Sequence, residues 1–149
     1  MLLTFADVCV VAGVSAGSLR LWCEKKIVVP FEDGAGCGNH RRFNLMQTVG
    51  VAVAIELRKS KRGCALAYVG EVVEAFGKLT EEDLQKKFAK GVTHFMTVVK
   101  TQVIMDGPIY GDMINVQRVY ENVKQKIVQL SRKPANLTGR NRGLAGVNS

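Results

Sequence analysis

The chain has 149 residues, 47% of them hydrophobic, and carries 21 Lys+Arg against 13 Asp+Glu for a formal charge of +8. That length supports one ordinary domain with a real core, or a small unit followed by a second small module. The basic excess favours a polyanionic partner, and no run approaches the roughly 18 to 20 apolar residues of a membrane span. The N-terminus has neither the basic flank nor the cleavage site of a signal peptide, so the expected location is cytoplasmic, with no membrane partner.

In chain order, Phe5, Val8, Cys9 and Ala12 fall on one face of a helix, with Thr4 as its N-cap and Asp7 at capping-box spacing. Gly13 supplies a left-handed C′ position, Val14 plugs the corner, and Ser15 caps a second helix from Ala16 to about Lys25. Two short helices joined by a three-residue turn predict a helix-turn-helix. Ile27 to Phe31 reads as a strand, "EDGAGCGN" as a hairpin loop and "HRRF" as the return strand, which together make a wing.

Asn44 and Gln47 have capping-box spacing before "LMQTVGVAVAIELRKSK", which is apolar on nearly every side and therefore expected at the centre of a helical packing. Lys59, Lys61 and Arg62 complement its C-terminal dipole, and Gly63 is the expected stop. Leu66, Val69, Val72, Val73 and Phe76 mark a fourth helix. Thr80 and Asp83 open a fifth that runs to about Lys90, with Leu84 and Phe88 on its buried side.

Val92 to Met105 reads as two strands around Lys100 and Thr101, with one helix as the alternative. Asn115 caps a last helix whose stripe of Val116, Val119, Tyr120, Val123, Ile127 and Leu130 must be buried, either on the neighbouring strands or against a second copy. Residues 134–149 hold too little apolar content to fold and read as a disordered basic tail. The fold class is thus mainly α with a small β component: a winged helix-turn-helix over 1–76 and a small α+β module over 78–133.

Cys9, Cys23, Cys37 and Cys64 lie far apart, with no C-x-x-C pair, so the spacing of a zinc site is absent. Cys9 and Cys23 read as small buried apolar residues, and Cys37 as the exposed thiol. No G-x-S-x-G, H-E-x-x-H or P-loop pattern occurs, and the glycines at 34, 36 and 38 precede an Arg-rich strand instead of a helix. The expectation is a protein with no catalytic residues, no metal and no cofactor.

A helix-turn-helix offers its second helix to the major groove, N-terminal end foremost. Ser15, Ser18 and Arg20 occupy that end, with Leu19 and the single tryptophan, Trp22, as inward anchors. The stretch "AGVSAGSLRLW", then "IVVP", then "GNHRRF" resembles the MerR-type winged helix-turn-helix family over about Leu3 to Phe76. The resemblance implies that Arg20 and Arg41 contact the DNA backbone, that Phe43 anchors the wing, and that His40 stands where an aromatic residue is usual. Arg42 reads as an outward, DNA-proximal side chain, and Lys25 belongs with Arg20, Arg41 and Arg42 to the basic residues clustered in the proposed winged unit.

The chain departs from the family pattern at Leu21, which replaces an aromatic residue, and at Lys26-Ile27, where a glycine usually precedes the wing. The long dimerisation helix of the family is interrupted by Gly77, Gly91, Gly107, Pro108 and Gly111, and metal-sensing cysteines have no counterpart. The expected function is a sequence-specific regulator of double-stranded DNA acting as a homodimer. The alternatives are an excisionase-like architectural protein, or a DNA-binding antitoxin or adaptor that takes a protein partner through 78–133.

Overall fold

The computed structural model describes residues 1–33, 40–60, 63–108 and 113–132. The elements are β1 (Leu2–Thr4), α1 (Phe5–Ala12), α2 (Ala16–Glu24), β2 (Arg42–Asn44), α3 (Leu45–Lys59), α4 (Leu66–Gly77), α5 (Glu81–Ala89), β3 (His94–Val99), β4 (Gln102–Asp106), β5 (Ile114–Asn115) and α6 (Val116–Arg132). The chain is mainly helical, with two small antiparallel sheets, β1 with β2 and β4-β3-β5. No helix among the described residues is long and apolar enough to cross a membrane.

Local chemistry sets the helix starts. The Thr4 and Asp7, Asn44 and Gln47, and Thr80 and Asp83 pairs each exchange side-chain and backbone bonds as complete capping boxes. Asn115 Oδ1 accepts from the Arg118 amide at 3.0 Å to start α6. Each cap satisfies a donor that a helix terminus otherwise leaves open, at about 1 kcal/mol.

Helix α3 is the centre. Val49, Val51, Val53 and Ala54 have no solvent exposure, and Thr48 is buried with its hydroxyl donating to the Asn44 carbonyl at 3.0 Å. Around it pack α1, α4, α6 and β2. Helix α4 joins this core to the second sheet: Phe76 lies 6.2 Å from Phe95, and the Tyr68 hydroxyl meets Thr97 Oγ1 at 3.0 Å and accepts from the Val98 amide at 3.1 Å. One apolar cluster runs from Leu3 to Val123, so the core continues across residue 77.

Several expectations are corrected. Ile27 to Phe31 is not a strand, because its hydrogen bonds are taken locally: the Ile27 and Val28 amides donate to the Trp22 carbonyl, and Gln47 Nε2 donates to the Val29 carbonyl at 2.8 Å. The return strand spans Arg42–Asn44 and pairs with β1, Leu3 opposite Phe43, and only a single Glu32–Arg42 bridge joins it to the preceding segment. Helix α3 ends at Lys59 with Ser60 as its cap, four residues before Gly63. The α6 stripe is buried at Val116, Val119, Tyr120 and Val123, chiefly against α1 and α3 and not the neighbouring strands, while Ile127 and Leu130 are partly buried. The two strands around Lys100 and Thr101 and the helices over 66–77 and 81–89 are as the sequence predicts. The proposed tail, Lys61, Arg62 and Cys37 lie outside the described residues.

Gly70 ties the 26–31 segment to α4. A Cβ there would lie 2.5 Å from the Ile27 carbonyl oxygen, a backbone atom that cannot swing aside. Gly70→Ala is therefore expected to lower stability by roughly 1–3 kcal/mol, read as a shift in denaturant midpoint at constant m-value.

Candidate nucleic-acid interface

The unit that positions the candidate residues is α1, a three-residue turn and α2. Gly13 adopts φ 74°, and its amide and that of Val14 both donate to the Cys9 carbonyl, at 3.1 and 3.2 Å, closing α1. A side chain at that φ is strained, so glycine makes the turn without cost in sterics. Val14 is buried in the corner, and Ser15 Oγ accepts from the Ser18 amide at 3.1 Å to start α2.

Helix α2 has two distinct faces. Leu19, Trp22 and Cys23 are buried, while Ala16, Gly17, Arg20, Leu21 and Glu24 are exposed. The predicted residues Ser15, Ser18, Arg20 and Lys25 all belong to this helix and its caps: Ser15 and Ser18 make the N-terminal cap, and Lys25 is the exposed C-cap. The Arg20 guanidinium lies 5.9 Å from the centre of the Phe5 ring, a cation-π contact that steers a long side chain while leaving it in solvent. A Cβ at Gly17 would meet nothing within 4 Å, so no contact among the described residues requires glycine there. Lys26, where the sequence resemblance expects glycine, holds φ 58° in the left-handed region.

The second group leads into β2. His40 is exposed. Glu32 and Arg42 exchange backbone bonds at 3.1 and 2.8 Å, and Arg42 Nη1 donates to the Arg41 carbonyl at 3.2 Å. Arg41, expected to face a DNA backbone, is turned inward: its side chain is 15% exposed, its Nε is buried without a hydrogen bond, and Asp33 Oδ1 stands 3.7 Å away. Its positive charge opposes the rise of the Cys23 thiol at the C-terminal end of α2. Phe43, fully buried, is the inward anchor the sequence predicts.

Charge does not pile up on this unit. Residues 1–77 hold nine Lys/Arg and seven Asp/Glu, whereas 133–149 holds three Lys/Arg and no acid. Sequence reasoning missed two positioning residues, Gln47 through its bond to Val29 and Gly70 through its approach to Ile27. A glycine inside an otherwise regular amphipathic helix was the available signal for the second.

Among the described residues, no group of three or more His, Cys, Asp or Glu is placed to hold a metal ion. Burial pushes the Cys23 thiol from 9.0 up to about 11, with Arg41 working against it. Burial likewise raises Cys9, with Arg20 opposing, and Cys64, with Arg58 opposing. Compared with known proteins, the chain matches no family model and no curated relative.

A thiol raised in the folded state holds its proton after the unfolded thiol has lost it. The resulting stability is fully present below pH 9.0 and is lost as pH rises toward about 11. Denaturant midpoints followed across that window should fall in the wild type, and fall less in Cys23→Ala measured against its own low-pH value.

Proposed function

We propose that this protein is a non-catalytic, sequence-specific regulator of double-stranded DNA, of the MerR-like winged helix-turn-helix type, which binds as a homodimer. The observation that carries the reading is the division of α2: two large anchors, Leu19 and Trp22, buried on one side, and Ala16, Gly17 and Arg20 exposed on the other at the helix's leading end. A recognition helix needs that combination, since the anchored side fixes its angle and the bare first turn lets its backbone come close to a phosphate or base edge.

Glycine in a helix costs up to about 1 kcal/mol relative to alanine, and Gly17 has no neighbour that demands it. A partner approaching that turn accounts for it. Arg20, held along the Phe5 ring, then supplies a forked cation to phosphate or guanine. In this reading His40 and Arg42 flank the duplex beside α2, and Arg41 acts indirectly, its guanidinium turned in toward Asp33. One helix and one wing cover little of a site, so two copies on a two-fold site supply the contacts that specificity needs. The adaptor alternative is less favoured, because the apolar face of α6 that would take a protein partner is already buried in the chain's own core.

Binding to duplex DNA should weaken steeply with salt, each neutralised phosphate adding roughly 0.9 to the log-log slope. Arg20→Ala and Gly17→Glu should each weaken binding by about tenfold or more, a change of about 1.4 kcal/mol, with melting temperature held. Trp22→Ala should instead lose roughly 3–5 kcal/mol of stability through a core cavity. Fluorescence anisotropy with a site selected from random duplexes reads all of these. Affinity that is flat in salt, or Gly17→Glu and Arg20→Ala variants that bind like wild type, would overturn the reading.

A further inference from the structure

We propose that the outer edge of β4 is a self-complementary pairing surface, on which a second copy of this chain adds its own β4 to give a six-stranded sheet with the two-fold axis at Ile104. This deepens the homodimer part of the reading above by naming the surface.

The sheet order β4-β3-β5 leaves β4 at the edge, and among the described residues nothing pairs with its outer side. Val99 and Gln102 flank the two-residue Lys100-Thr101 turn, and Ile104 lies opposite Thr97. In an antiparallel ladder these alternate residues bond their partner strand, so the amides and carbonyls of Val103 and Met105 point away from β3. The Asp106 carbonyl, which accepts from Thr93 on the β3 side at 2.9 Å, fits the same alternation.

Edges of this kind are ordinarily blunted by lysine, proline or a bulge. The β4 sequence Gln-Val-Ile-Met-Asp contains neither residue, and the sheet's one irregularity lies between Phe95 and Thr97 of β3. The sheet's outward face also carries exposed apolar side chains, Met96, Val99 and Ile104 at 44%, 50% and 38%, beside Gln102 and Asp106. Inward-facing Phe95 and Val103 are buried.

Antiparallel pairing of β4 with its own copy about Ile104 satisfies all of these at once. Val103 of one chain meets Met105 of the other as a hydrogen-bonded pair, which uses the outward amides and carbonyls. Ile104 meets Ile104 as the non-bonded pair, where side chains approach most closely. Gln102, a donor amide, meets Asp106, a carboxylate on the same exposed face whose Oδ1 already holds the Gly107 amide and whose other oxygen is the acceptor. The contact is small by the standard of stable interfaces, so it forms reversibly and gains strength where DNA holds two copies side by side.

Sedimentation equilibrium of the full chain without DNA, from micromolar to submillimolar, tests this apart from any DNA binding. Wild type should approach a dimer and stop there. Ile104→Lys and Ile104→Glu should each weaken association at least tenfold with unchanged circular dichroism, and an equimolar mixture of the two should recover a heterodimer because Lys then faces Glu across the axis. Gln102→Lys, which meets Asp106 of the other copy, should tighten association several-fold at low salt. Wild type that remains a monomer throughout, a mass that grows without limit, Ile104 variants that associate like wild type, or a mixture that fails to recover would each overturn the proposal. The DNA reading would stand or fall separately on its own salt and variant data.

Discussion

Everything in this fold hangs from a helix with almost no free face. Apolar residues on one stripe of a helix ask for one partner, whereas Val49, Val51, Val53, Ala52 and Ala54 on successive positions of α3 ask for partners on all sides. The small residues decide how close those partners come. A Cβ at Gly50 would stand 3.0 Å from both Phe76 Cβ and the Val73 Cα, so α4 packs against bare backbone, and α4 in turn carries the sheet through Phe76 and Tyr68. Helix α1 packs on α3, and the turn at Gly13 then hands α2 outward.

The candidate interface inherits its rigidity from that arrangement. Asn44 and Gln47 both cap α3, and Gln47 also reaches back to the Val29 carbonyl, so the start of the central helix is fastened to the segment beyond α2. Gly70 fastens the same segment from the other side. A short second helix with only nine residues is marginal alone, and here it is held at Leu19 and Trp22 and at its N-cap. The remaining face, bare at Ala16 and Gly17, is exposed.

What the sequence disclosed was the chemistry that acts over three or four residues. The capping boxes, the Gly13 turn, the Ser15 cap and the all-round apolarity of α3 were legible because each signal and its effect lie within one helical turn. The pairing of Leu2–Thr4 with Arg42–Asn44 was not, since three-residue strands some forty positions apart carry no period. Ile27 to Phe31 has a strand's composition, but composition does not reveal that Trp22 and Gln47 would take its hydrogen bonds. The α6 stripe announced that a face was buried without saying against what, and α1 with α3 proved to be the answer. Arg41 and Arg42 are adjacent and chemically alike, so only the fold shows that the Arg41 guanidinium is turned in toward Asp33.

The central claim is that the exposed face of α2 meets duplex DNA. Amide chemical-shift mapping with a selected duplex tests it most directly, because it reports location as well as binding. The account predicts perturbations concentrated over 15–21 and 40–42, with the buried positions of α3 and the outer edge of β4 little changed at half-site stoichiometry. Shifts that cluster on another surface, or none at low salt, would contradict it.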